Sequence, residues 1–212
     1  MSNRKQEIKN RAAKVEAMRA AQRRTERRRT FLIIGAAIVA SLALIAVVGV
    51  VIVREQGKQA DLEEAADAPI EGVEEFPDLP RDHVTEPVSY DQSPPVGGNH
   101  AGVWTNCGIY TEPVSNEQSV HSLEHGAVWV AYRADLAAEQ VEVLTRLAEA
   151  DDYALLSPVE GLESPVVASA WGVQLALDDA EDPRLTLFLE KYSQGEQTPE
   201  PGAPCTGGVG AV

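Results

Sequence analysis

The sequence predicts an α+β fold, a small sheet packed with two or three helices, preceded by one transmembrane helix. Three observations carry this expectation. Residues 31–53 form an apolar run without a charge. Beyond residue 87, stretches rich in valine and aromatics alternate with amphipathic ones, the pattern of helices laid on a sheet. Charge also divides sharply. Residues 1–30 hold 11 Lys/Arg against 3 Asp/Glu, whereas the 212-residue chain holds 18 against 33, a net charge of -15. A chain so acidic lacks the basic surface that phosphate contacts need, so nucleic acid is not an expected partner of the chain as a whole.

Residues 1–30 read as a basic cytoplasmic tail. The run that follows has 23 residues. At 1.5 Å per residue a helix of that length covers the ~30 Å hydrocarbon core of a bilayer. Arg29 and Arg54 bracket it, and long basic side chains reach headgroups from such positions. A signal peptide would have a shorter apolar region with a cleavage site close behind; here Arg54-Glu55-Gln56 follows directly. Excess arginine before the run places the N-terminus in the cytoplasm and the rest of the chain outside it. The basic tail is then expected on anionic lipid, with a protein or RNA partner as the alternative.

Residues 54–86 contain 11 acidic and 3 basic residues, with Pro69, Pro77 and Pro80. No apolar run there suits a core, so the stretch reads as an extended, self-repelling linker. Residues 87–207 read as the globular domain, long enough for its own core, and residues 208–212 as a closing tail. Within the domain, residues 126–132 read as a strand and residues 136–150 as an amphipathic helix. Residues 153–156 and 165–177 read as two more strands. Residues 183–192 read as a helix with Pro183 at its start.

Cys107 and Cys205 are the only thiols. Outside the cytoplasm two thiols in one domain usually pair. No C-x-x-C spacing points to a redox centre; a nucleophilic Cys107 is the alternative to a disulfide.

Three of the four histidines crowd together: His100, His121 and His125. Ser115 followed by Gln118 begins a capping box, and Gly126 is a helix stop, which makes residues 116–125 a short helix. Helical geometry then sets His121 and His125 about 40° apart on one face, one turn from each other. Two imidazoles at that spacing form half of a metal site. His100 follows Gly97-Gly98, which permit a sharp turn. Imidazole suits zinc or copper, and the only methionines, Met1 and Met18, lie far from the cluster. Glu124 is placed to hold a histidine N–H from behind. The motif His121-Ser-Leu-Glu124-His125 also fits H-x-x-E-H, in which the glutamate polarises a zinc-bound water. Three readings stay open: histidines that only hydrogen-bond inside an envelope interaction module, a metal site without catalysis, and a small zinc hydrolase.

Pro94-Pro-Val-Gly-Gly-Asn-His100, Trp104-Thr-Asn-Cys107-Gly-Ile-Tyr110 and Val120-His-Ser-Leu-Glu-His-Gly126 occur in order, followed by Leu156-Ser-Pro158 and Ser169-Ala-Trp-Gly172. Together they resemble the domain of unknown function family numbered 3105, over about residues 87–207. The resemblance implies a bacterial envelope protein with one N-terminal transmembrane helix. It implies no activity.

Overall fold

The computed structural model describes residues 2–210. Within the first helix the side chains at 2–13, 15, 17, 20, 21, 25, 28, 30, 33, 35–40, 63, 64, 66 and 67 lie outside the description. Many side chains of the basic tail, and residues 211 and 212 of the closing tail, therefore lie outside the description. The chain divides into two compact units, Met1–Gln59 and Ala60–Val212.

Helix α1 runs over Ser2–Asp67. Among the described residues no helix is long and apolar enough to cross a membrane, which corrects the expected transmembrane helix.

The second unit is built on a sheet of six strands, not a small one. In chain order the elements are β1 (Val73–Glu75), β2 (Gly108–Ile109), α2 (Asn116–Glu124), β3 (Val128–Arg133), α3 (Ala138–Glu149), β4 (Ala154–Val159), β5 (Val166–Ala170), β6 (Val173–Leu177) and α4 (Pro183–Tyr192). The sheet order is β1-β6-β5-β3-β4-β2. Strand β4 is parallel to both β3 and β2, and the remaining pairs are antiparallel. The β3–α3–β4 connection is long enough to return the chain for parallel pairing, which a tight hairpin cannot do.

Alternate residues of each strand face opposite sides, and both sides are covered. Val128, Val130, Leu156, Val166 and Leu175 pack with Leu144 of α3 and Leu185 and Phe188 of α4. Trp129, Ala131, Leu155 and Val167 pack on the other side with Val120 and Leu123 of α2 and with Cys107 and Cys205. This two-sided burial explains why the strands read as unbroken apolar runs rather than alternating ones. Trp129 keeps its one polar atom satisfied, donating from Nε1 to Ser157 Oγ at 2.9 Å.

Two segments differ from the sequence reading. Residues 165–177, expected as one strand, are the hairpin β5–β6, turned at Trp171-Gly172, where Gly172 has a φ of 71°. The acidic stretch expected as an extended linker is helical to Asp67 and then supplies β1, whose Val73 pairs with Leu175 of β6. An edge strand needs few apolar residues; Ile70 is buried and Val73 packs against the core. Pro158 is tolerated inside β4 because β2 pairs only as far as Leu156, leaving that edge open where proline has no N–H to give.

The expected disulfide is present. Cys107 and Cys205 are bonded, with Cα atoms 5.3 Å apart and a sequence separation of 98. It holds the C-terminal segment against β2 together with Cys107 N–H to Cys205 O at 2.8 Å and Asn106 N–H to Val209 O at 2.8 Å.

Candidate metal centre

Helix α2 positions the site. Its N-cap is Ser115, whose hydroxyl accepts from Gln118 N, and its C-cap is His125. Gly126 ends it with a φ of 95°. A Cβ there would meet Thr198 Cγ2 at 3.0 Å and the Gln194 backbone at 3.1 Å, so both conformation and space call for glycine. Ser122 of α2 donates to Thr105 O at 2.6 Å, and Ala101 N–H donates to Glu117 O at 3.2 Å. These bonds stitch the segment 100–105 along the helix and bring His100 beside Glu124.

His100 arrives through the turn expected from Gly97-Gly98, with φ of 148° and 110°. A Cβ on Gly97 would sit 2.7 Å from Leu79 Cδ1 and 3.3 Å from the Trp171 ring. Tyr90 Oη donates to Asn99 O at 2.8 Å and braces the turn from outside. His83 comes from the segment read as linker. It forms a parallel bridge with His100, flanked by Val84 N–H to His100 O at 2.7 Å and His100 N–H to Asp82 O at 3.1 Å. Bridge partners present their side chains to the same face, and the two imidazole centroids lie 4.9 Å apart.

One ligand atom from each of His83, His100, His121 and Glu124 lies within 4.8 Å of the others, and these four could hold a metal ion. His100 is fully buried and Glu124 nearly so, while the His83 side chain is 51% exposed. Glu124 Oε2 is 3.0 Å from His100 Nε2 and 3.6 Å from His83 Nε2. The His100 Nδ1–H donates to Gly98 O at 2.8 Å and the His121 Nδ1–H to Ala101 O at 2.7 Å. A carbonyl only accepts, so each neutral ring carries its hydrogen on Nδ1 and offers the Nε2 lone pair. Metal-bound histidines are held in this way. Burial holds the His121 imidazole below its usual pKa of 6.5, the Ala101 carbonyl opposes this, and His125, His100 and His83 alongside add to the lowering.

Of the residues singled out in the sequence, His100 and His121 are in this cluster. Glu124, expected behind a histidine, points its carboxylate among the nitrogens. His125 is next to it but not one of the four: its Nε2 is 3.1 Å from His121 Nε2, and its Nδ1–H donates to Pro204 O at 2.8 Å. His83 was not anticipated. The signal for it was Val84 beside a histidine in an otherwise acidic stretch, too short to announce pairing with a residue 17 positions on. In the H-x-x-E-H pattern Glu124 would face a water on an ion held by His121 and His125; here its Oε2 lies 3.0 Å from His100 Nε2.

A cleft of about 870 Å³ lies nearby, lined by Phe76, Asp78, Trp171, Tyr192 and Gln194 among others. Trp171, which lines it, also lies beside the cluster, its ring centroid 5.9 Å from that of His100.

A sheet covered on both faces, stapled by a disulfide and carrying a buried histidine–glutamate cluster able to hold a metal ion, defines an α+β domain with a candidate metal centre. The family described as protein of unknown function (DUF3105) matches residues 83–207, and the chain belongs to that family. A second family, described as an inhibitor of host cell division protein domain, is similar over residues 9–67, a stretch confined to α1 and too small a share of the chain to place it there. No curated protein matches the chain, and no solved structure does.

Proposed function

We propose that the second unit binds one divalent transition metal, zinc or copper(II), through His83, His100, His121 and Glu124. The observation that carries this is the meeting of His100 Nε2 and Glu124 Oε2 at 3.0 Å inside the domain. With Nδ1–H committed to Gly98, a neutral His100 turns a lone pair toward a carboxylate, and two acceptors face each other without a hydrogen between them. A cation against both resolves the contact. Imidazole and carboxylate donors suit zinc and copper(II). Both cysteines are committed to the disulfide, so thiolate chemistry plays no part. The disulfide also supports an oxidising, extracytoplasmic setting for this unit.

The same 3.0 Å contact supports a second reading, a buried imidazolium–carboxylate pair that only holds the segment to α2. Removing two charges from water makes such a pair expensive. Calorimetric titration of the full chain with zinc separates the two. The metal reading expects one ion per chain, and binding lost in His100→Ala and in His121→Ala. Binding unchanged in both would return the residues to a structural role. Zinc-dependent peptide or ester cleavage that disappears in Glu124→Gln would replace both readings with the hydrolase.

A further inference from the structure

His121 and His125 face each other through Nε2 at 3.1 Å. Each ring gives its Nδ1–H to a carbonyl, Ala101 O and Pro204 O respectively, so in their neutral forms two lone pairs meet. Such a contact is favourable when a cation lies against both. Two nitrogens each ~2.0–2.1 Å from one tetrahedral zinc sit roughly 3.3–3.4 Å apart, close to the separation seen. Glu200 Oε2 lies 3.7 Å from His125 Nε2, and its side chain is 54% exposed against 5% for His125. Its backbone is fixed to the site, since Glu200 N–H donates to Glu124 O at 3.0 Å. The Trp104 ring packs beside both imidazoles, with centroids 4.7 Å from His125 and 5.6 Å from His121.

We propose that Glu200, His125 and His121 form an entry position through which a divalent metal passes from solvent to the cluster, three of whose four ligands are buried. This rests on the reading of that cluster as a metal site. His121 belongs to both positions, yet with Nδ1–H given to Ala101 it has one free lone pair. It serves one ion at a time. The two positions are therefore successive stations for a single ion, and not the halves of a two-ion centre. The exposed Glu200 carboxylate attracts the ion, His125 takes it at the edge of the buried region, and His121 turns it over to His100 and Glu124. His125 is the donor left behind, which accounts for a histidine in contact with the cluster but outside it.

The test is stopped-flow zinc uptake by the metal-free full chain, with release into a chelator and calorimetric stoichiometry measured beside it. Glu200→Gln and His125→Gln should each slow uptake by about tenfold or more, the scale on which local charge raises association rates. Release should slow in parallel, and stoichiometry should stay at one. Glu200 is exposed, so Glu200→Gln decides the matter even if His125→Gln folds poorly. Unchanged rates in Glu200→Gln, or two zinc ions per chain, would overturn the entry position while leaving the cluster in place. A wild-type chain that takes up no zinc would remove the cluster reading as well.

Discussion

At the scale of single residues, the site rests on which nitrogen of each ring carries hydrogen. Gly98, Ala101 and Pro204 carbonyls settle that for His100, His121 and His125. The sequence could offer the three histidines and the helical spacing of two of them, but not these carbonyls, of which Ala101 O and Pro204 O come from segments distant in the chain from the rings they hold. His83 was hidden for the same reason: its partner is found by strand pairing, and one bridge leaves no periodic trace. The depressed pKa of His121 has a consequence for stability. Its unfolded value is near the usual 6.5, and the folded value lies below it because of burial. Between the two, the unfolded chain binds more protons, so stability falls as pH drops through that window and is fully present above it. Urea unfolding of the metal-free chain should give a lower midpoint at pH 5 than at pH 7.5, with a smaller difference in His121→Gln. An equal or larger difference in that variant would assign the effect to other groups.

At the scale of elements, the sequence was most legible where local chemistry and packing agree. Helix α4 begins with Pro183 after the Asp182 cap, whose side chain accepts from Arg184 N, as the position of proline indicated. Helix α2 has its expected cap at Ser115. The β5–β6 hairpin was missed because buried strands on both sides of a short turn read as one apolar run, and a single glycine is a quiet signal. Strand β1 was missed because charge dominates its composition, while of its three residues only Val73 packs against the core, with Ile70 buried just before it. Since α2 carries His121 and Glu124, its cap bears on the site. Ser115→Ala should cost about 0.5–1 kcal/mol, the lower part of the range for N-caps, because the Gln118 N to Ser115 Oγ bond is long at 3.4 Å. Chemical denaturation measures this, and a neutral substitution would mean the tertiary bonds from Thr105 hold the helix end without help.

At the scale of the whole molecule, the disulfide and the site are one construction. Cys205 neighbours Pro204, whose carbonyl fixes the His125 ring. Tyr153 Oη donates to Ala203 O at 2.9 Å, so the staple and the tail bonds act on the same segment. Closing a loop of about 100 residues stabilises by up to ~4.7 kcal/mol in the chain-entropy model. Cys107→Ser with Cys205→Ser should therefore lower stability by about 2–5 kcal/mol and slow zinc uptake as His125→Gln does. A double variant with lowered stability and unchanged uptake would separate the staple from the site. The pairing itself was readable from an even count of thiols; its bearing on a histidine was not, because it depends on where a carbonyl lands.

The central claim, a metal held by three imidazoles and a carboxylate, is tested most directly by the zinc X-ray absorption spectrum of the loaded full chain. The expected result is a first shell of nitrogen and oxygen at ~2.0–2.2 Å with the outer-shell scattering of about three imidazoles, reduced in His83→Ala and abolished in His100→Ala. A spectrum of hydrated zinc alone, or one unchanged by His100→Ala, would contradict it.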